Sequence, residues 1–173
     1  TSSATSTPTE PEPKSEIRLI SSVPCGNAIC HTLGVSCLDI NERQAKVREF
    51  EQENPKGTVI FTTGGYGNSL YGSKPITQET IRTVFDAGFE TFEIAWSGEK
   101  GWVENVEDAG YKNVMCGTAE VYEWIAANKA DNSDVICAQG NSGGSFQIAY
   151  SLSVYGLDDL FDMVILIGGP PAS

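Results

Sequence analysis

The stretch Asp134-Val135-Ile136-Cys137-Ala138-Gln139-Gly140-Asn141-Ser142-Gly143-Gly144-Ser145-Phe146-Gln147-Ile148-Ala149-Tyr150 reads as an apolar strand, a sharp turn and a helix. Gly140, Ser142 and Gly144 fit the pattern G-x-S-x-G, in which a serine is forced onto a tight strand-to-helix corner and its hydroxyl stands clear of the sheet. Glycines flank such a serine because a Cβ there would collide with the crossing strand and helix. A serine among glycines also describes an ordinary loop, so the setting decides. The residues before it are apolar and β-branched, and Phe146, Ala149 and Tyr150 follow at helical spacing up to the stop signal Gly156.

The 173 residues suffice for one sizeable core, so the chain is one domain or part of one. Acidic residues outnumber basic ones 23 to 11, a net charge of −12, which argues against nucleic acid or an anionic membrane surface as partner. No apolar run is long enough to span a bilayer. Residues 1–15, rich in Thr, Ser and Pro, read as a disordered tail that cannot build a core, of the kind that follows a removed export signal. Cys25, Cys30, Cys37, Cys116 and Cys137 are many for a cytosolic domain of this size and point to disulfides in an oxidising, secreted or cell-envelope setting. Zinc is disfavoured, because the single histidine and the Cys25, Cys30, Cys37 spacing do not make a ligand set. The odd count leaves one thiol free or paired outside the chain.

In order, Glu16 to Val23, His31 to Leu38 and Ala45 to Phe50 read as short half-buried strands, most economically antiparallel. From Gly57 strands alternate with helices, the grammar of a mostly parallel sheet covered on both faces. Strand Thr58 to Thr62 runs into the loop Thr63-Gly64-Gly65-Tyr66-Gly67-Asn68. A helix over Thr77 to Ala87 and a strand over Phe89 to Trp96 follow. Ser97 to Asn113 reads as irregular, with Trp102 either a pocket wall or a packing anchor. Gly117 to Asn128 reads as a helix that passes through Ala130 to Ser133 into the quoted strand. Phe161 to Ile167 is almost continuously apolar, as buried parallel strands are.

A serine hydroxyl needs a base to become a nucleophile, and the oxyanion formed by its attack needs preorganised donors. Ser142 supplies the nucleophile. Gly143 offers a backbone N–H at a helix N-terminus, and Gly65 or Tyr66 in the glycine-rich loop offers the second donor of an oxyanion hole.

The order strand, Gly64-Gly65-Tyr66-Gly67 loop, helix, strand, helix, Gly140-Asn141-Ser142-Gly143-Gly144 elbow, helix, strand resembles the N-terminal part of the α/β-hydrolase family. The likeness covers roughly Gly57 to Pro171. The stretch from Gly140 through Tyr155-Gly156-Leu157-Asp158-Asp159 to Gly169-Pro170-Pro171 also resembles secreted bacterial members. The resemblance implies residues 16–173 as the N-terminal part of such a domain, with the C-terminal strands missing. It implies esterase, lipase or related acyl-transfer activity on a small-molecule or lipid-like acyl substrate, without cofactor or metal, and a triad in the order Ser, acid, His. Here the sequence departs from the pattern: no histidine follows Ser142. The acid and histidine are therefore expected on a C-terminal fragment of the same protein, completing the fold as partner.

Competing assignments are each disfavoured by particular residues. A chymotrypsin-like peptidase would place His31 upstream as base, but that fold is all-β and the residues after Ser142 read as helix. A noncatalytic binding protein would need only the pocket. Glu104, Glu107, Asp108, Asp158, Asp159 and Asp162 read as solvated charges rather than metal ligands. Gly64 to Gly67 lacks the Lys-Ser/Thr that a phosphate loop requires.

Overall fold

The computed structural model describes residues 15–37, 40–128 and 135–169. The tail expectation for residues 1–14 lies outside these, as do Leu38, Ala130 to Ser133 and Pro170-Pro171. Seven strands form one sheet: β1 (Glu16–Pro24), β2 (Ile29–Cys37), β3 (Ile40–Phe50), β4 (Thr58–Thr62), β5 (Glu90–Trp96), β6 (Ile136–Asn141) and β7 (Met163–Ile167). Their spatial order is β1-β2-β3-β5-β4-β6-β7. The first three strands are antiparallel to their neighbours, β3 pairs antiparallel with β5, and β5, β4, β6 and β7 run parallel.

Helix α1 (Pro75–Asp86) covers one face, while α2 (Val106–Asn128) and α3 (Gly143–Tyr155) cover the other. Strand alternation divides the side chains between the two faces. On β4, Ile60 joins the large core with Phe92 and Ile94 of β5, and Met115, Val121, Tyr122 and Ile125 of α2. Its neighbour Phe61 packs with Tyr71 and Ile81 on the α1 side.

Three expectations need correction. Phe161 to Ile167, read as a buried strand, starts as β7 at Met163 and lies at the sheet edge, with Met163, Ile165, Leu166 and Ile167 exposed because no strand pairs beyond it among the described residues. Ser97 to Asn113 is not wholly irregular: α2 starts at Val106 and passes through a kink at Gly110, where φ is +75° and ψ 162°. Glycine there reads as a breaker, yet the helix resumes because its following turns bury Val114 and Met115. Strand β3 begins at Ile40 rather than Ala45. Its charged start, Glu42 and Arg43, is absorbed by partners: Glu42 takes two hydrogen bonds from Arg18 of β1, 2.7 and 2.8 Å, crossing over Gly34 of β2. A Cβ on Gly34 would stand 2.6 Å from the Glu42 carboxylate, so glycine opens that path.

Disulfides join Cys25 to Cys30 and Cys37 to Cys116, and Cys137 is a buried free thiol whose pKa burial pushes up. The first bridge closes the β1–β2 hairpin. The second ties the end of β2 to the middle of α2.

Strand β6 and helix α3 approach backbone to backbone. A Cβ on Gly140 would lie 2.5 Å from the Gly144 carbonyl carbon, and one on Gly144 would run into the Thr62 carbonyl oxygen of β4. Gly144→Ala is therefore expected to lower stability by more than ~2 kcal/mol through forced backbone displacement. Gly156→Ala meets nothing within 4 Å and carries only its left-handed φ of +70°, a cost of about 1–2 kcal/mol. Urea midpoints of the two variants check the ranking. Replacing Cys37 and Cys116 together by alanine is expected to cost about 2–5 kcal/mol, more than losing the five-residue Cys25–Cys30 link, because the longer loop constrains the unfolded chain more. The same denaturation series reads this difference.

Candidate active site

Ser142 follows the last residue of β6 and precedes the first residue of α3, with φ +50° and ψ −116°. Among the described residues only Asn105 shares a positive φ without being glycine. Such a conformation costs about 1–3 kcal/mol and persists only where surroundings impose it. Here the Ser142 N–H donates to the Ile167 carbonyl at the end of β7, 2.7 Å, and its carbonyl accepts the Phe146 N–H at 3.1 Å. Ser145 reinforces the corner. Its hydroxyl lies 2.8 Å from the Gly140 carbonyl and accepts the Ile167 N–H at 3.0 Å. Ser142 itself is exposed, at the carboxyl end of a parallel strand.

The Gly64–Gly67 loop sits against this corner. A Cβ on Gly64 would be 3.1 Å from Cβ of Ser142, and one on Gly143 would strike the Gly65 carbonyl and stand 3.2 Å from the Gly65 nitrogen. Ser142, Gly143 and Gly65 are thus brought together. Tyr66, half exposed, lies one residue farther along the loop. The N–H groups of Gly65, Tyr66 and Gly143 have no acceptor among the described residues. Two such donors beside an exposed hydroxyl make an arrangement able to receive a developing oxyanion.

His31 is not part of this arrangement. It lies on β2, four strand positions from β6, a lateral separation of about 19 Å at ordinary strand spacing. It is fully buried, with Nδ1 2.8 Å from the Ser22 hydroxyl, Nε2 2.5 Å from Glu49, and its ring 5.7 Å from that of Trp124. It is a core histidine with both nitrogens engaged, as expected from its place in a strand.

Trp102 proves to be a packing anchor, only 6% exposed, whereas Tyr111 beside it is 50% exposed. Trp102 stacks on Phe146 of α3 at 5.7 Å, and Tyr111 meets Phe146 edge-on at 5.4 Å. The Trp102 indole N–H donates to the Gly65 carbonyl at 2.8 Å. Beneath it Arg43 of β3 donates to the carbonyls of Trp102 and Val114, 2.9 and 2.7 Å, with its guanidinium 4.8 Å over the Trp96 ring. Burial pulls the Arg43 pKa down to about 10 against the opposing charge of Glu104. Gln147 of α3, wholly buried, accepts from the Trp96 indole at 3.1 Å.

Arg43, Gln147 and Ser145 were not marked by the sequence. Gln147, between Phe146 and Ile148, looks like a surface gap in an apolar run, whereas Arg43 stands among Asn41, Glu42 and Gln44 and reads as solvent-facing, and Ser145 reads as part of the glycine-rich turn. The one available signal, for Gln147 alone, was its place within an otherwise apolar run.

No family model matches the sequence, and no curated protein matches it. Solved structures do. Acetyl xylan esterase 1 from Thermoanaerobacterium sp. JW/SL YS485 superposes with TM-score 0.53 at 18% identity, covering 88% of this chain and 51% of its own. An acetyl xylan esterase from Paenibacillus sp. R4 gives 0.52 at 15% identity, covering 88% and 52%. Dienelactone hydrolase from Anabaena variabilis ATCC 29413 gives 0.55 at 14%, covering 84% and 65%. The chain thus spans between about half and two thirds of the length of these structures. With its antiparallel entry, its parallel β5-β4-β6-β7 core and its serine corner between β6 and α3, the chain has the α/β-hydrolase fold.

Proposed function

We propose that the chain is the nucleophile-bearing part of a secreted serine hydrolase acting on a carboxylic ester or related acyl compound. The observation that carries this reading is the strained, exposed Ser142 held against Gly143 and Gly65. A positive φ on a serine is retained only where the surrounding structure over-determines it, and such sites cluster where chemistry is done.

In this reading Ser142 Oγ attacks the acyl carbon, the carbonyl π electrons move to oxygen, and the N–H groups of Gly143 and Gly65 stabilise the charge. Gly65 is taken over Tyr66 as second donor because its nitrogen would stand 3.2 Å from a Cβ placed on Gly143, among the atoms nearest that point. Collapse of the intermediate expels the alcohol and leaves an acyl-enzyme on Ser142, which water then hydrolyses. Each donor contributes on the order of 100- to 1,000-fold in rate. The base that takes the Ser142 proton and its carboxylate partner are assigned to polypeptide C-terminal to the 173 residues. The sole histidine of the chain is buried on β2, and β7 leaves Met163, Ile165, Leu166 and Ile167 exposed for another segment to cover. The two disulfides support an oxidising, extracellular setting. The esterase names of the structural neighbours support an acyl substrate.

A noncatalytic binding protein on the same fold is the second reading, favoured by the burial of His31 away from Ser142. Treating the full-length protein with a fluorophosphonate separates the two. The hydrolase reading expects one adduct, on the peptide containing Ser142, and a fall of about 10⁴-fold or more in p-nitrophenyl ester hydrolysis for Ser142→Ala. No turnover above background by the wild type, or a folded protein that takes no label, would favour the binding protein instead, and equal turnover by wild type and variant would rule out Ser142 as the nucleophile.

A further inference from the structure

We infer that Trp102 and Arg43 are positioning residues that hold the Gly64–Gly67 loop with its N–H groups set for the substrate oxyanion, an inference that rests on the proposed role of that loop. Four consecutive carbonyls of the loop are tied down, that of Gly67 by the Trp96 N–H at 2.7 Å. Gly64 accepts the Gly67 N–H at 3.2 Å, Gly65 accepts the Trp102 indole N–H at 2.8 Å, and Tyr66 accepts the Trp102 backbone N–H at 2.9 Å. A trans peptide is planar, so fixing a carbonyl also fixes the N–H on its far side. The Gly64 bond therefore orients the Gly65 N–H; the Tyr66 bond orients the Gly67 N–H that makes the Gly64 bond, and the Gly65 bond holds the Gly65–Tyr66 peptide between them, so both Trp102 bonds act on the Gly65 donor through the loop. Without these ties a loop with positive φ at Gly65 and Gly67, +61° and +63°, would sample many conformations. Trp102 supplies two of the four bonds.

Arg43 fixes Trp102 in turn. A guanidinium buried against carbonyls and an aromatic face, without a carboxylate hydrogen-bonded to it among the described residues, is a poor choice for packing alone, since an apolar residue avoids the desolvation. Its rigid fork, however, spans two carbonyls at a set distance. It thereby locks Trp102 to Val114 of α2. Gly117 leaves the space: a Cβ there would stand 2.5 Å from Arg43 Nη2.

Trp102→Phe keeps the stack on Phe146 and removes the indole donor, and Arg43→Met keeps the stem and removes the fork. Amide exchange of residues 64–67 and steady-state kinetics on p-nitrophenyl acetate are read in the full-length protein, with the amides of β4 and β6 as the folding control. We expect Trp102→Phe to speed loop exchange about 10-fold while the control amides hold. Its kcat should fall about 10- to 100-fold with KM within about 2-fold, the signature of a transition-state donor misplaced. Arg43→Met should act in the same direction, and Arg43→Lys should recover part of the loss. Should Arg43→Met fail to fold, Trp102→Phe decides. Unchanged loop exchange in Trp102→Phe overturns the inference, as does faster exchange with wild-type kcat. If the wild type proves as inactive as Ser142→Ala, the hydrolase reading fails on its own, and loop exchange alone then sustains or overturns the brace.

Discussion

Backbone meets backbone where the first turn of α3 crosses the ends of β4 and β6, and the rest of the site depends on that contact. Gly140, Gly143 and Gly144 leave no Cβ between the helix and the strand ends, so α3 seats directly on the Thr62 and Gly65 carbonyls. Only that seating forces Ser142 into its positive φ and lifts its side chain out of the sheet. The Ile167 carbonyl of β7 completes the corner from the other side. Sheet, helix and loop therefore define one another at a single point, and no one of them could shift without dissolving the serine geometry.

Around that point lies a shell of buried polar groups. Glu93 of β5 accepts from Arg48 and from the Gly72 N–H, both at 2.5 Å, which anchors the segment leading into α1. Gln147 joins α3 to Trp96, and Arg43 joins β3 to Trp102 and α2. Buried polar groups cost stability unless satisfied, and each of these takes its hydrogen-bond partners from a different element, Arg43 through its two Nη atoms while its Nε has none among the described residues. Their effect is to fix how elements sit relative to one another, which apolar packing alone specifies less sharply. The Cys37–Cys116 bridge beside Arg43 adds a covalent tie at the same junction.

How far the sequence could be read follows from the range of each signal. The strand, elbow and helix around Ser142 were legible because the signal is local: apolar run, glycines, helical spacing. The antiparallel entry and the parallel core were legible from the change of rhythm near Gly57. Val106 to Asn113 was not, because Gly110 and a polar surface hide a helix that only its later turns bury. Trp102 was ambiguous for a different reason. A large aromatic in a polar loop looks the same whether it lines a pocket or buries itself, and only contacts with Gly65, Arg43 and Phe146 distinguish the two. Arg43 was invisible, since a charged residue at a strand start reads as solvent-facing until a carbonyl pair closes over it.

The central claim is that Ser142, Gly143 and Gly65 form one reacting unit. A crystal structure of the full-length protein after reaction with a fluorophosphonate tests it most directly. The account predicts phosphorus bonded to Ser142 Oγ, with the phosphonyl oxygen about 2.7–3.1 Å from the N–H nitrogens of both Gly143 and Gly65. A phosphonyl oxygen turned to solvent, or an adduct on another residue, would contradict it.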